Sequence, residues 1–429
     1  MAERAAAPLL DLDEVLARLA AAGAAARIAA VDAVPVHEAL GRVLAADLVS
    51  EIDVPPADNS SMDGYALRTA DVPAADTVLA LGQRIAAGQV GRPLAAGEAA
   101  RIFTGAPLPA GADAIVMQEL AEPVDGATGL AVRLRAVPRP GQWVRCRGED
   151  VRRGSVVLAA GMRLTPQALG LAATVGAAVL EVVRRPRVAL LSSGDELVMP
   201  GSVAPAALPP GAIYNSNRDT LRALLQAAGC EVRDLGTVPD RLEATRAALR
   251  EAAAASDLIL SSGGVSVGEE DHLRPAVAAE GRIALWQVAV KPGKPLAFGA
   301  VRRGAGGGEG VGGGSEALYL GLPGNPVSSF LTFLLAVRTL LRTLQGADPS
   351  LPPSLPLVAG FDWPRPDPRR EFLRVRRGTD DRVELFPNQS SGVLTSAVWA
   401  DGLVDNPPGQ AIRAGDRVRY LPLSSLIGG

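Results

Sequence analysis

Of the 43 Lys and Arg residues in this chain only two are Lys, and they stand three apart in the pentapeptide KPGKP, at Lys291 and Lys294. Everywhere else the cation is Arg. Two compact ammonium groups kept so close together point to a contact that a larger, planar guanidinium would not make. Acids that could face them are Asp63, Asp150, Asp195, Glu196, Asp240 and Asp271, each in a loop-like setting. Soft metal ligands are scarce. Cys146, Cys230, His37 and His272 are scattered and cannot assemble a zinc or iron site. Carboxylates alone suit Mg²⁺, which binds one or two of them and shares its remaining positions with water and phosphate. No nucleophile–base pair is evident. Lysines, backbone donors and carboxylates together describe a pocket for a phosphorylated ligand with a divalent cation.

These groups need elements to hold them. The segment DLILSSGGVSVGEED, 257–271, predicts a buried strand that empties into a glycine-rich loop. Gly263 and Gly264 let the chain turn and let a ligand approach main-chain N–H groups there, with Ser262 and Ser266 beside them. Gly263 and Gly268 have the spacing of a phosphate-binding P-loop, but Glu269 occupies the lysine position and excludes it. From Arg187 onward strands and helices alternate, which predicts a parallel sheet. RVALLSS runs into Gly194-Asp195-Glu196. The strand 230–238 runs into Pro239-Asp240, with Glu243 completing a capping-box pattern for the next helix. The strand 284–290 runs into KPGKP, and 318–322 into Pro323-Gly324-Asn325-Pro326, where Asn325 caps a long helix ended by Gly346. Every polar motif follows a strand, so all five share one edge, where open α/β sheets bind ligands.

Upstream, residues 9–22 have the period of an amphipathic helix with Leu9, Leu12, Leu16 and Leu19 inward and Gly23 as its cap. Residues 50–140 read as a β-rich unit with two polar loops, VPPADNSSMDGYA (54–66) and the one around Thr104. The glycine tract 304–316 reads as a hairpin tip, 347–368 as a proline-rich linker, and the alternation after 370 as a small β domain. A formal charge of −3 implies neither a nucleic acid nor a membrane partner. Two cysteines suit a reducing, cytoplasmic setting, and no secretory leader is evident. The apolar run 330–341 is broken by Arg338 and reads as a core helix.

DNSSMDGYA, FTGAP, GEDV, SSGDEL, YNSN, SSGGVSVGEEDH, KPGKPLAFG, GLPGNPVSS and SSGVLTSAVWADGLVDNPPG occur in this order. This series resembles the molybdopterin molybdenumtransferase (MoeA) family, seen also in the E domain of gephyrin, from about residue 9 to 420. The resemblance implies a homodimer of multi-domain α/β plus β subunits. It implies a linking and dimerisation domain from 27–49 and 152–177, and a β-rich domain at 50–151 that serves the partner subunit's cleft. An α/β molybdopterin-binding domain spans 9–23 and 178–346, and a barrel-like β domain 347–429. It implies insertion of molybdate into adenylylated molybdopterin with loss of AMP, dependent on Mg²⁺, and transient contact with the adenylyltransferase that makes the substrate. Catalytic roles fall by motif on Asp63, Thr104, Glu196, Asp240, Asp271 and Lys291, with Glu196, Asp240 and Asp271 toward Mg²⁺. Asp150, Ser262, Gly263, Gly264, Ser266, Lys294, Pro323, Gly324, Asn325 and Pro326 would bind substrate. Gln287 stands where some members carry another lysine. Two other activities share parts of this pattern. An adenylyltransferase would lack the DNSSMDGYA loop and the C-terminal domain. A gephyrin-type scaffold would have no need of the two lysines.

Overall fold

Residues 64–134 build a six-stranded sheet, its central strands buried on both faces, in the computed structural model, which describes residues 9–126, 129–264, 272–304 and 315–428. Its strands are β1 (Gly64–Leu67), β2 (Thr77–Ile85), β3 (Glu98–Ile102), β4 (Ala114–Met117), β5 (Ala121–Gly126) and β6 (Gly129–Leu134). They lie in the order β4-β1-β3-β2-β6-β5. Leu67, Ile102, Ile115 and Leu134 are wholly buried on its two faces. Beside it, Val31–Pro35 pairs with Val179–Val183, and Leu48–Val49 with Val156–Leu158. These short ladders pack on helix α2 (Pro166–Thr174), whose N-cap Thr165 accepts a hydrogen bond from Ala168 N–H behind Pro166.

The second large sheet has strands β7 (Arg187–Ser193), β8 (Glu231–Val238), β9 (Leu258–Ser262), β10 (Gly281–Gln287), β11 (Pro295–Arg302) and β12 (Glu316–Leu322), in the order β8-β7-β9-β12-β11-β10. Four strands, β8, β7, β9 and β12, are parallel, as the alternation predicts. The sheet as a whole is mixed. β11 runs antiparallel between β12 and β10, a strand the KPGKP motif and glycine tract concealed in the sequence. Two reversals return β10 to the direction of the parallel strands, so KPGKP still lies at their carboxyl edge. The described residues of all five predicted motifs therefore occupy one edge, the stretch 265–271 lying outside the described residues. At the opposite edge Arg184 Nη2 donates to both carboxylate oxygens of Asp257 at 3.0 Å, a buried pair that starts β9.

Helices α3 (Ser216–Ala227), α4 (Leu242–Ala255) and α5 (Leu273–Glu280) flank this sheet. Helix α3 is capped by Asn215, which accepts from Arg218 N–H at 3.1 Å, and Gly229 follows its end at φ +82°. The capping box expected from Asp240 and Glu243 does not form: the N-cap of α4 is Arg241, which leaves the Asp240 carboxylate for the ligand edge. The long helix α6 (Pro326–Leu344) contains one π turn at Phe333–Val337 and is the most buried helix of the chain. Burial explains its apolarity without a membrane.

Helix α1 (Leu12–Ala25) crosses α6. Gly23 lies inside α1 rather than capping it. A Cβ there would sit 2.0 Å from Thr343 Oγ1 and 3.1 Å from Leu340 O. Leu9 is exposed and precedes the helix, whose cap is Asp11. Gly23→Ala gains helix propensity but is expected to cost about 1–3 kcal/mol through overpacking. Urea unfolding of the variant checks this, and an unchanged midpoint would mean the two helices separate freely.

The C-terminal strands β13 (Leu355–Ala359), β14 (Arg370–Arg377), β15 (Arg382–Leu385), β16 (Gly402–Asn406) and β17 (Arg417–Pro422) close into a small barrel, β14-β15-β13-β17-β16-β14. The proline-rich stretch is thus only partly a linker, since β13 lies inside it. Pro356 is tolerated because that residue pairs only with β17, and β15 joins from Val358. Val290–Lys291 pairs parallel with the start of β14 and joins the barrel to the ligand edge. Helix α7 (Leu423–Gly428) ends the described chain.

Candidate active site

The loops after β7, β8, β9 and β12 enclose a cleft of about 620 Å³, within the size range of small-molecule sites. Its floor is set by close backbone approaches. Gly263 has φ +86°, and a Cβ on it would lie 2.8 Å from Ser193 O, so only glycine fits between the ends of β7 and β9. Gly324 stands beside it, its Cβ direction 3.9 Å from Gly263 Cα. Asn217 at the start of α3 ties the two loops together by donating from Nδ2 to Ser262 Oγ at 2.8 Å and to Gly324 O at 2.7 Å.

Two carboxylates among the described residues reach this cleft. Asp240 accepts a hydrogen bond from Ser193 Oγ–H at 2.9 Å, and its own N–H donates to Asp195 Oδ1 at 3.3 Å. Glu196 folds back over Gly194, with Oε2 2.5 Å from where a Cβ would stand, and its carboxylate has no hydrogen-bonded partner among the described residues. Asn215 also lines the cleft, is 2% exposed, and its Nδ2 is buried without a partner. Such an orphan donor is costly unless a ligand or water accepts from it.

Of the residues singled out in the sequence, Glu196, Asp240, Ser262, Gly263, Gly264, Pro323, Gly324, Asn325 and Pro326 line this cleft together. Asp271 and Ser266 lie outside the described residues. Glu196 and Asp240 alone form no preassembled metal cage, and no cluster of three acidic, His or Cys ligands occurs among the described residues. Lys294 is exposed next to Pro295, which lines the cleft. Lys291 points elsewhere. Its Nζ lies 3.2 Å from both Asp367 Oδ2 and Glu371 Oε1 of the barrel, with the Trp363 ring centroid at 6.0 Å. Sequence reasoning gave no role to Asn215, Asn217 or Ser193. The polar triplet Asn215-Ser216-Asn217 at a helix start was the available signal.

Asp63, Thr104 and Asp150 form no part of that cleft's lining. Asp63 Oδ1 accepts from Thr104 N–H at 2.9 Å and from Thr104 Oγ1–H at 2.8 Å. Those two bonds, the backbone one first, hold its carboxyl below the ordinary aspartate range, with Arg101 adding a smaller push. Arg101 stacks at 4.7 Å on Phe103, whose ring also meets Arg84 at 4.5 Å. Asp150 is exposed, with its N–H donating to Val54 O. The chain thus displays two polar centres: the cleft at the sheet edge and an acid-bearing loop on the β-rich unit.

Comparison with known proteins matches the chain, region by region, to one family. Residues 10–176 match the MoeA N-terminal region (domain I and II), 189–343 a probable molybdopterin binding domain, and 356–423 the MoeA C-terminal region (domain IV). The molybdopterin molybdenumtransferase of Haemophilus influenzae is 36% identical over 399 residues, covering 91% of this chain and 94% of that protein. That of Synechococcus elongatus is 37% identical over 389 residues, covering 89% and 91%. The crystal structure of the molybdopterin biosynthesis moeA protein of Pyrococcus horikoshii superposes with a TM-score of 0.78 at 26% identity, covering 97% of this chain and 100% of that one. With all three regions present in order along the cleft-bearing sheet, its flanking β-rich unit and its barrel, the chain belongs to the molybdopterin molybdenumtransferase (MoeA) family.

Proposed function

We propose that this chain inserts molybdate into adenylylated molybdopterin with release of AMP, in a Mg²⁺-dependent reaction at a cleft completed by two subunits of a homodimer. The observation that carries the reading is the separation of the two polar centres. The cleft has the volume and donors for a phosphorylated pterin, yet Asp63, Thr104 and Asp150 are displayed on another unit of the chain. A second copy brings its acid-bearing loop to that cleft. In support, the linking unit leaves Val31, Leu40, Val49, Val156 and Val179 between 46% and 57% exposed, an apolar surface suited to a second copy.

The donor set fits Mg²⁺: hard carboxylate oxygens at Glu196 and Asp240, with Asp271 as a third candidate, and no soft ligand among the described residues that line the cleft. Bound there, the ion would neutralise phosphate charge as a Lewis acid. The chain's own groups do the positioning. Ser193 fixes Asp240, Asn217 braces the Ser262 and Gly324 loops, and Gly264, at φ +66°, gives the chain the turn that packs it against Leu273. Lys294 supplies the ammonium at the rim, and Lys291 sets the KPGKP turn through the barrel. The reading carries with it a cytoplasmic setting and transient contact with the adenylyltransferase.

A single-turnover assay tests the reaction. Purified protein given adenylylated molybdopterin, molybdate and Mg²⁺ should release one AMP for each molybdenum bound. ATP consumption with free molybdopterin would instead identify an adenylyltransferase, and neither reaction would leave a scaffold.

A further inference from the structure

Far from the cleft, three arginines surround a small cavity of about 20 Å³ where α6 meets the loop before α2 and the ends of α3 and α7. Arg338 and Arg342 come from the last turns of α6, and Arg163 from the loop. Each gives one N–H to a main-chain carbonyl: Arg163 Nη2 to Ala227 O at 3.1 Å, Arg338 Nη1 to Ser350 O at 3.0 Å, and Arg342 Nε to Asp348 O. Among the described residues none of the three has a carboxylate within ion-pair distance. The acid whose charge acts on Arg338 and Arg342 is Asp348, and its carboxylate is hydrogen-bonded to Ser350 N–H and Oγ–H. Arg338 is only 7% exposed, and its Nε is buried with no acceptor.

Helix C-termini favour cations, which accounts in part for Arg163 at the end of α3 and Arg342 at the end of α6. It does not account for Arg338, which is buried a turn earlier with an unpaired donor. A guanidinium does not lose its proton to escape such a setting. Burial first, and the Arg342 charge second, lower the Arg338 pKa only to about 10. Arg163 and Arg342 are half-buried, so the charge that most calls for a counter-charge is that of the buried Arg338, with two like charges beside it. The other wall of the cavity is apolar, with Leu224, Phe333 and Leu426. The space is on the scale of a single small ion.

We infer that this cavity is a binding site for one weakly hydrated inorganic anion of the halide class, held by Arg163, Arg338 and Arg342, which fastens the linking unit and the C-terminal helix to α6. Because the anion binds the folded chain alone, it stabilises by mass action.

The full-length protein is unfolded thermally at constant ionic strength while gluconate, too large for the cavity, is replaced by chloride. The apparent midpoint should rise and saturate, by about 2–4 °C. Arg338→Met should abolish the rise and, in gluconate, unfold at or above the wild-type temperature, because it removes an uncompensated charge. Should that variant not fold, Arg342→Gln is expected to weaken the chloride response in the same way. Crystals grown in bromide should show an anomalous peak among the three guanidinium groups. Identical midpoints in the two salts, a full chloride response in both variants, or crystals without that peak would overturn the inference.

Discussion

Asp240→Asn should lower the rate of molybdenum insertion about 100-fold while leaving the fold intact, and Glu196→Gln should do the same. The amide oxygen that Asp240→Asn introduces can still accept the Ser193 hydroxyl proton, so the loop after β8 keeps its anchor. Glu196 has no hydrogen-bonded partner among the described residues, so its neutralisation breaks no contact shown there. What both variants remove is negative charge at the ligand edge. If these carboxylates work through Mg²⁺, each variant needs a higher Mg²⁺ concentration for half-maximal activity, and excess Mg²⁺ recovers part of the rate. Activity titrated against Mg²⁺, with thermal unfolding as a control, separates the possibilities. Lost turnover with an unchanged Mg²⁺ requirement would assign the carboxylates to proton transfer.

Replacing Lys291 should cost stability and rate together. Its ammonium is the compensating charge for Glu371, which is 1% exposed, and Glu371 Oε1 has no hydrogen-bond partner to replace it. Glu371 Oε2 is already engaged by Trp363 Nε1–H at 2.8 Å. Lys291→Met therefore leaves a buried carboxylate unpaired. The expected loss is about 1–3 kcal/mol, below the value for a fully buried pair because the lysine is 39% exposed. The KPGKP turn also carries Pro295 to the cleft, so a loosened turn should slow insertion by about 10- to 100-fold. Lys291→Arg keeps the charge but brings a second fork to a site where Arg369 already holds Asp367 bidentately, and both quantities should fall there too. Lys294→Arg, at an exposed position, should be milder. The double variant Lys291→Met with Glu371→Gln should regain stability, which a double-mutant cycle measures. Wild-type stability with a slow rate in Lys291→Arg would instead make this ammonium a substrate contact. Acid acts on the same joint. Arg369 first, with Lys291 contributing, holds the Asp367 carboxyl well below the aspartate range. Its contribution is complete above about pH 4, the unfolded aspartate value, and is lost as pH falls toward the depressed folded one.

The strand-then-polar-loop pattern was legible because parallel strands are buried on both faces and read as short apolar runs with abrupt ends. It placed Glu196, Asp240, Gly263 and Gly324 on one edge without any knowledge of packing. The antiparallel strand β11 was not legible. PLAFGAVR has the same apolar run, and direction is set by β10 and β12 on either side. The role of Gly23 was misread for a similar reason, since a cap and a helix crossing use glycine in the same way until the partner helix is in place. Lys291 shows the limit most clearly. Its rarity marked it as special, but Asp367 and Glu371 lie more than seventy residues away, and no spacing rule joins them.

Subunit mixing tests the two-chain cleft most directly. Asp63→Asn alters the loop on the β-rich unit, and Asp240→Asn alters the sheet-edge cleft. Each homodimer should be nearly inactive. In a heterodimer one of the two clefts receives both altered residues and the other receives neither. A mixture of the two variants, with exchange confirmed by differently tagged subunits, should therefore recover about a quarter of wild-type activity, since roughly half the dimers are mixed and each has one intact cleft. Mixtures as inactive as either parent would contradict the account and put Asp63 and Asp240 in a site built within one chain.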